Sequence, residues 1–460
     1  MEEEQSSPKM KEQQSFLQNK EKELIEKALQ KARFKFAFVC LHKLRQINPS
    51  EDFVFSPYGI YDVLLLIYFG SKGAVEELLK EILYLSNIYF SKDKLIECYS
   101  IRKDIPQPRD NICGISSYDD DSNCWITNVH CLIITTLQRL FKDRLEIFDF
   151  RTDIIQLLQR VNDVVKNTAR DTICHFKICD EIIRDIEIIL TTTVHFKSQF
   201  TSFEVSTRHE PNVSSLSSVS NCSRRRQRNS FICNNLGIYM NEFPYKNDNT
   251  SLFVMLPLWY AISSGASDFI DPLQPKSSQT YKDICIEDIS DMIERMSSKE
   301  GISWMGELLD GNVTKEDFHH LMINPIFDLE KELPIHQLLE ALGAKELVQY
   351  TCMSNFIAEP NKNLHFGRSM HRTHVKVTTE ETVAGAVTAI YTGISSRFFC
   401  RCQAEDNNVV NSVQPFVWLI YDKLRRRVLF VGTFNQPPKP RILPDKSLYI
   451  QRKYSKGIQI

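Results

Sequence analysis

Eight consecutive residues, Thr382–Ala389, carry no side chain larger than valine, no proline and no charge. They read Thr-Val-Ala-Gly-Ala-Val-Thr-Ala. Such a run can sit in a loop. It also suits a crowded central strand, because small and β-branched side chains fit beneath packed neighbours and nothing obstructs a ladder on either edge. The residues before it, His371–Val377, alternate as a strand does. After it come a polar, cysteine-bearing stretch and two apolar strands, 415–420 and 427–432, around the charged hairpin turn Arg425–Arg427. A chain built this way holds a segment that can slide between two existing strands.

Composition narrows what surrounds that segment. The 460 residues carry 56 basic and 58 acidic side chains, a net charge of −2, which argues against a nucleic-acid-binding or membrane-surface protein. The longest apolar stretches, such as Val63–Phe69, fall far short of the roughly 20 residues a bilayer span needs. Thirteen cysteines is an odd number, with spacings unlike a compact disulfide scaffold, so mostly reduced thiols are expected. The N-terminal MEEEQSSPKMKEQQ has no apolar core of a signal peptide, which by sequence alone reads as cytoplasmic.

Along the chain, residues 1–30 read as a polar extension, disordered at first and then helical into Ala32–Leu44. Phe53–Phe55 is a short strand. Ser56 is placed to cap the next helix, Tyr58–Phe69, with Pro57 at its first position. That helix is apolar nearly all round and therefore buried. A helix over Ala74–Leu83 follows. Residues 91–123 read as a poorly ordered insertion. Strands are expected near 125–129, Ile183–His195, Gly237–Phe243 and Ser251–Pro257, and helices around 132–143 and 153–168. Residues 212–228 read as a solvated loop, and 259–313 as a second insertion with a helical piece near Glu287–Met296. Strands and helices without regular alternation predict an α+β fold, one large core with insertions.

Catalytic constellations are missing. There is no phosphate-binding glycine loop, no H-E-x-x-H and no C-x-x-C pair. Cys174, His175 and Cys179 read as buried thiols beside a surface histidine, and Cys400 with Cys402 as exposed thiols. Cys40 and His42, two apart on a helix, point away from each other and make a poor nucleophile–base pair. His319 and His320 beside Asp317 read as a solvated cluster. Arg224–Arg228 reads as a solvated loop, with polyanion binding or proteolysis as its alternatives. No metal and no cofactor are expected, and the chain is not expected to be an enzyme.

Several stretches taken together resemble the serpin family. Phe55-Ser56-Pro57 with its apolar helix and Gly70-Ser-Lys-Gly73 look like that family's buried helix and exit. Val161–Val164, Leu190–Gln199, Leu252–Pro257, Leu338–Gly343, the hinge 379–389, and Pro415-Phe416 to Val431-Gly432 follow in family order. The resemblance spans about residues 30–440. It implies an α+β serpin domain over 31–440, with three β-sheets, about eight or nine helices and an exposed reactive-centre loop over about 379–414. Residues 441–460 would form a tail. The resemblance further implies a suicide substrate for a serine-type, or else cysteine-type, protease. The protease acylates on the loop, and the cleaved loop inserts into the main sheet and distorts the trapped enzyme. The native state would be metastable and monomeric, and the family points to the extracellular space.

The hinge maps to Thr379, Glu380, Glu381, Thr382, Val383, Ala384, Gly385, Ala386 and Val387. Glu381 stands where the family has glycine, Val387 where alanine is usual, and Phe200 where a tryptophan is usual. Counting forward from the hinge places the scissile bond near Ser395–Ser396. Counting back from Pro415 places it near Ala404. Arg397 and Arg401 lie between these and would suit a trypsin-like protease. A serpin-fold binding protein that traps no protease is the alternative, motivated by Glu381, Phe200 and the length of the loop.

Overall fold

The computed structural model describes residues 8–104, 117–128, 145–149, 154–170, 172–173, 186–205, 223–226, 229–246, 249–258, 288–311, 325–333, 335–348, 365–393, 407–410 and 415–435. Among them are eight α-helices: α1 Pro8–Ile47, α2 Pro57–Gly70, α3 Ala74–Ile82, α4 Lys92–Asp104, α5 Ile154–Thr168, α6 Ile289–Ser297, α7 Lys299–Leu309 and α8 Ile335–Ala341. The strands are β1 Phe53–Phe55, β2 Ser117–Asn128, β3 Leu145–Phe148, β4 Ile186–Gln199, β5 Ser202–Val205, β6 Ser223–Arg226, β7 Asn229–Cys233 and β8 Ile238–Pro244. They continue with β9 Thr250–Pro257, β10 Phe327–Leu333, β11 His365–Val377, β12 Glu381–Gly393, β13 Asn407–Val410, β14 Phe416–Asp422 and β15 Arg427–Phe434.

These strands form three sheets. One has six strands in the order β1-β15-β14-β9-β8-β7, one has seven in the order β13-β10-β11-β12-β4-β2-β3, and β5 pairs with β6. The expected α+β architecture with three sheets is what the chain adopts. In the seven-stranded sheet only β2 and β3 run parallel. The core lies between the two large sheets and under the helices that cover them.

Helix α2 shows how sequence becomes placement. Ser56 caps it as its residue type predicts: the hydroxyl accepts from the Gly59 N–H at 3.2 Å, with Pro57 in the first turn. Every residue of the helix is buried, so the all-round apolar pattern is matched by neighbours on all sides. Asp62 is the exception in that run. It is buried beside Arg33 of α1, at 3.8 Å, and accepts from the Tyr99 hydroxyl of α4 at 2.8 Å. A buried carboxylate needs such partners to be tolerable.

Several segments differ from expectation. Helix α1 is continuous from Pro8, where the first part of residues 1–30 was expected to be disordered. Its Glu, Lys and Gln residues are good helix formers and extend the buried portion outward. The segment 91–123, expected to be poorly ordered, holds α4 and the start of β2. Leu95, Cys98 and Tyr99 of α4 are buried at helical spacing, and Lys92 binds the Ser71 carbonyl at 2.6 Å. The acidic run at 119–121 enters β2 because β4 supplies a long ladder partner, with a register shift between Asp119 and Ser122; pairing overrides local preference there.

Within 288–311, α7 follows the expected α6 and was not foreseen. Ser298 ends α6 and caps α7, accepting from the Gly301 N–H at 2.9 Å. A Cβ at position 301 would lie 1.8 Å from the Arg295 carbonyl oxygen, so only glycine fits that junction. Ser223–Arg226, expected in a solvated loop, is a strand antiparallel to β5. Arg427, read both as the end of the charged turn and as the start of the strand 427–432, opens β15 and is buried, its guanidinium 4.9 Å from the Tyr58 ring centroid.

Candidate functional site

The segment that constrains the sequence most occupies the middle of the largest sheet. β12 lies between β11 and β4 and pairs antiparallel with both, from Glu381↔Gln199 to Gly393↔Ile186 on one side and from Thr382↔Val377 to Gly393↔His365 on the other. The chain enters it through a tight turn at Thr378–Glu380. Thr378 fixes the turn by accepting from the Glu381 N–H at 3.1 Å, and its own N–H donates to the Glu381 carbonyl at 2.9 Å. The Phe200 N–H donates to the Glu380 carbonyl at 2.8 Å, closing the top of the sheet over the entering strand.

Each residue expected in the hinge has a place in the fold. Thr379 and Glu380 are exposed in the turn. Glu381 reaches Lys197 of β4 at 3.8 Å, so the carboxylate standing in the glycine position gains a partner at the sheet surface. Thr382 is fully buried and its Oγ1 accepts from the Tyr245 hydroxyl at 2.8 Å. Tyr245 in turn stacks on Phe200, with ring centroids 4.7 Å apart and planes at 19°. Phe200, in the position expected of a tryptophan, therefore builds an aromatic floor for the first buried residue of β12. Val383 is half-buried, and every residue from Ala384 to Tyr391 is buried.

The two faces of β12 meet different partners. Ala384 and Ala386 join the apolar cluster with Val194, Phe196, Phe200 and Trp418. Thr388, on the same face, lies beneath α2: a Cβ at Gly59 would be 3.3 Å from Thr388 Oγ1 and 3.3 Å from Val194 Cγ2. On the opposite face a Cβ at Gly385 would be 3.0 Å from both Cβ and Cγ2 of Thr172, just beyond α5. This close approach gives the small residues their purpose: the strand must pass under the α5 exit.

A buried polar hub ties β12 to the rest. His371 of β11 receives the Ser56 N–H on Nε2 at 2.9 Å, and its Nδ1 lies 2.9 Å from Thr388 Oγ1. The Ser56 hydroxyl donates to the Leu429 carbonyl of β15 at 2.7 Å. Since Nε2 accepts from a backbone N–H, the ring proton sits on Nδ1 and points to Thr388. Burial pushes the His371 pKa down to about 3, so the ring is neutral. One histidine thus joins α2, both large sheets and β12. This hub was missed in the sequence, because Ser56 and His371 lie 315 residues apart; the Ser-Pro cap was the visible part of it.

Other candidates do not converge on this place. The Cys40 thiol is fully buried and burial pushes it well above its ordinary value, which suppresses the thiolate. Ser395, Ser396, Arg397 and Arg401 lie outside the described residues, as do Cys174, His175, Cys179, His319, His320, Cys400 and Cys402.

A strand of small residues threaded between two long strands, beneath a capped buried helix, is set in a chain whose residues 31–437 match the family model Serpin (serine protease inhibitor). The chain belongs to the serpin family. It is 23% identical over 430 residues to serine protease inhibitor 88Ea of Drosophila melanogaster, covering 89% of this chain and 91% of that serpin. Among solved structures, a cleaved Serpin 42Da superposes with a TM-score of 0.62 at 14% identity, covering 91% of this serpin and 99% of that chain. A loop-inserted, cleaved ovalbumin mutant superposes with a TM-score of 0.62 at 14% identity, covering 89% and 100%. At such identity these neighbours establish the fold alone. They share it with a serpin whose segment 381–393 lies in the main sheet as a strand continuous with β11 through the turn at Thr378–Glu380.

Proposed function

We propose that this serpin is a suicide-substrate inhibitor of a serine endopeptidase, with 379–387 as the hinge of a reactive-centre loop. One observation carries the reading: the segment Glu381–Gly393 has an acceptor site between β4 and β11 that it fills along its whole length. An inserting loop needs small side chains under the α5 exit, a buried seat for its first residue and ladder partners on both edges. Gly385, Thr382 and the registers of β4 and β11 supply these in turn. Insertion after acylation would gain about one ladder's worth of backbone bonds plus the burial of Val387, Ile390 and Tyr391, each of the order of 1.5–3 kcal/mol as transfer free energy.

In the state described here the acceptor site is occupied, so trapping requires the segment to be outside the sheet when the protease arrives. Ser395, Ser396, Arg397 and Arg401 are the candidate residues at the scissile bond, and the two arginines favour a trypsin-like target. No catalysis by the serpin itself is involved. A second reading, a binding protein that does not trap proteases, is favoured by Glu381 in place of the hinge glycine, which gives up backbone freedom where the loop must bend.

Trypsin at sub-stoichiometric amounts separates the two. A band at the summed mass on a denaturing gel supports trapping, and the first residue of the released C-terminal fragment identifies the bond. Cleaved serpin alongside fully active trypsin would support the binding-protein reading for this protease.

A further inference from the structure

Thr172 and Ile173 follow α5 and lie over the outer face of the seven-stranded sheet, against Gly385 of β12. His374 of β11 is paired with Gly385 in register and so stands on that same face. Its imidazole is held on both sides. Nδ1 lies 2.7 Å from the Thr172 carbonyl oxygen, and Nε2 lies 2.7 Å from Asp328 Oδ1 of β10. A carbonyl oxygen can only accept. Asp328 is an acceptor too, because Lys376 Nζ lies 3.2 Å from its other oxygen. Burial raises the Asp328 pKa, but the bonds from His374 and Lys376 outweigh burial and hold it below its ordinary value. Both ring nitrogens therefore face acceptors, and only a ring with two protons satisfies both. A neutral ring must give up one contact.

We infer that His374, as an imidazolium, clasps the α5 exit onto the sheet directly above β12, so that the inserted strand is held more firmly as pH falls. Space makes the clasp bear on the strand. With Thr172 drawn down by His374 there is no clearance above Gly385, and β12 cannot lift outward; releasing Thr172 frees that path. The charged and titratable side chains on this face are Asp328, Glu330 and Glu332 from β10, Arg372 and Lys376 from β11, and, across Gly385, His195 from β4, which the His374 variant leaves in place. Glu330 is the cross-strand partner of His374, and its Oε1 accepts from Arg372 Nε at 2.8 Å, leaving Asp328 as the carboxylate on the ring. On β12 the residues at this level on this face are Val383, Gly385 and Val387, none of which titrates. His371 lies three residues away on the opposite face and is held neutral by burial, so it takes up a proton only on opening and acts in the opposite direction, lowering protection as pH falls. The inference needs only the inserted strand and stands whether or not a protease is ever trapped.

Hydrogen–deuterium exchange of the intact serpin at about pH 5.5 and about pH 8, within the range where histidines change charge, tests it once corrected for the intrinsic rate. Relative to the His374→Gln variant, the expected result is several-fold to about tenfold greater protection at the lower pH for amides of residues 169–170, 172–173 and 383–392, the size expected of a charge-assisted bond. That variant keeps a polar contact but no titratable ring, so it should retain only the opposing His371 response. The same pH response in the variant as in the native serpin would overturn the clasp. Should the variant not fold, ¹⁵N shifts of the native protein decide: His374-Val375 is the only His-Val pair in the sequence and can be picked out by double labelling. Two protons on that ring at about pH 5.5 and one at about pH 8 support the clasp, and an unprotonated ring nitrogen at about pH 5.5 overturns it.

Discussion

Two histidines three residues apart on β11 occupy opposite faces of the sheet and meet different partners. His371 points to the buried hub and accepts a backbone N–H, so it must be neutral, with its pKa pushed down by burial to about 3. An unfolded histidine titrates near 6.5 as an order-of-magnitude reference. Between these values the unfolded chain binds a proton that the folded chain does not. The contribution of His371 is therefore complete above the unfolded value and is lost as pH falls toward about 3, by at most about 1.4 kcal/mol per pH unit. Urea unfolding at a series of pH values should show this decline, and His371→Gln should flatten it at the cost of lower stability at neutral pH. Gly385 makes a steric claim at the same scale. Gly385→Val forces at least a 3.0 Å contact with Thr172 and should destabilise the inserted form by about 1–3 kcal/mol, as overpacking does. A lowered denaturation midpoint, with Gly385→Ala milder, is the expected outcome.

The element that decides the behaviour of this serpin is β12. Its entry residue, Thr382, is fully buried against Tyr245 over the Phe200 ring. Thr382→Arg would place an uncompensated charge there, an effective penalty of several kcal/mol, on the order of other buried unpaired charges. The expected outcome is a segment 381–393 that becomes susceptible to limited proteolysis, where the native protein resists. Much of this element was legible beforehand: the small run 382–389, its strand-like neighbour 371–377 and the Ser56 cap all follow from residue type and period. The partners that make β12 fit were not legible. Thr172 meets His374 across 202 residues and Ser56 meets His371 across 315, and no local pattern reports which polar residues a fold will bring together. Helix α4 was missed for a different reason, because its apolar residues are few and pack against distant elements such as α1 and α2.

For the whole molecule, occupancy of one slot governs the rest. With β12 in place the seven-stranded sheet has no gap between β4 and β11, so an added peptide with the sequence 382–392 should fail to bind. The same peptide should bind the Thr382→Arg variant, and native gel mobility with labelled peptide reads both results. Binding to the native protein at equal strength would show that the slot is open in solution.

The sequence by itself determined that this chain is α+β, that residues 58–69 are buried, and that 382–389 can be a crowded strand, because periodicity, capping and side-chain size are local properties. It also left that segment free to be either loop or strand, since small, uncharged residues are compatible with both. Only the tertiary structure decided between them. The ladder bonds from β4 and β11, the seat at Tyr245, the hub at His371 and the space under Thr172 are supplied by residues distant in sequence, and the free energy of a central strand resides in those neighbours rather than in the strand.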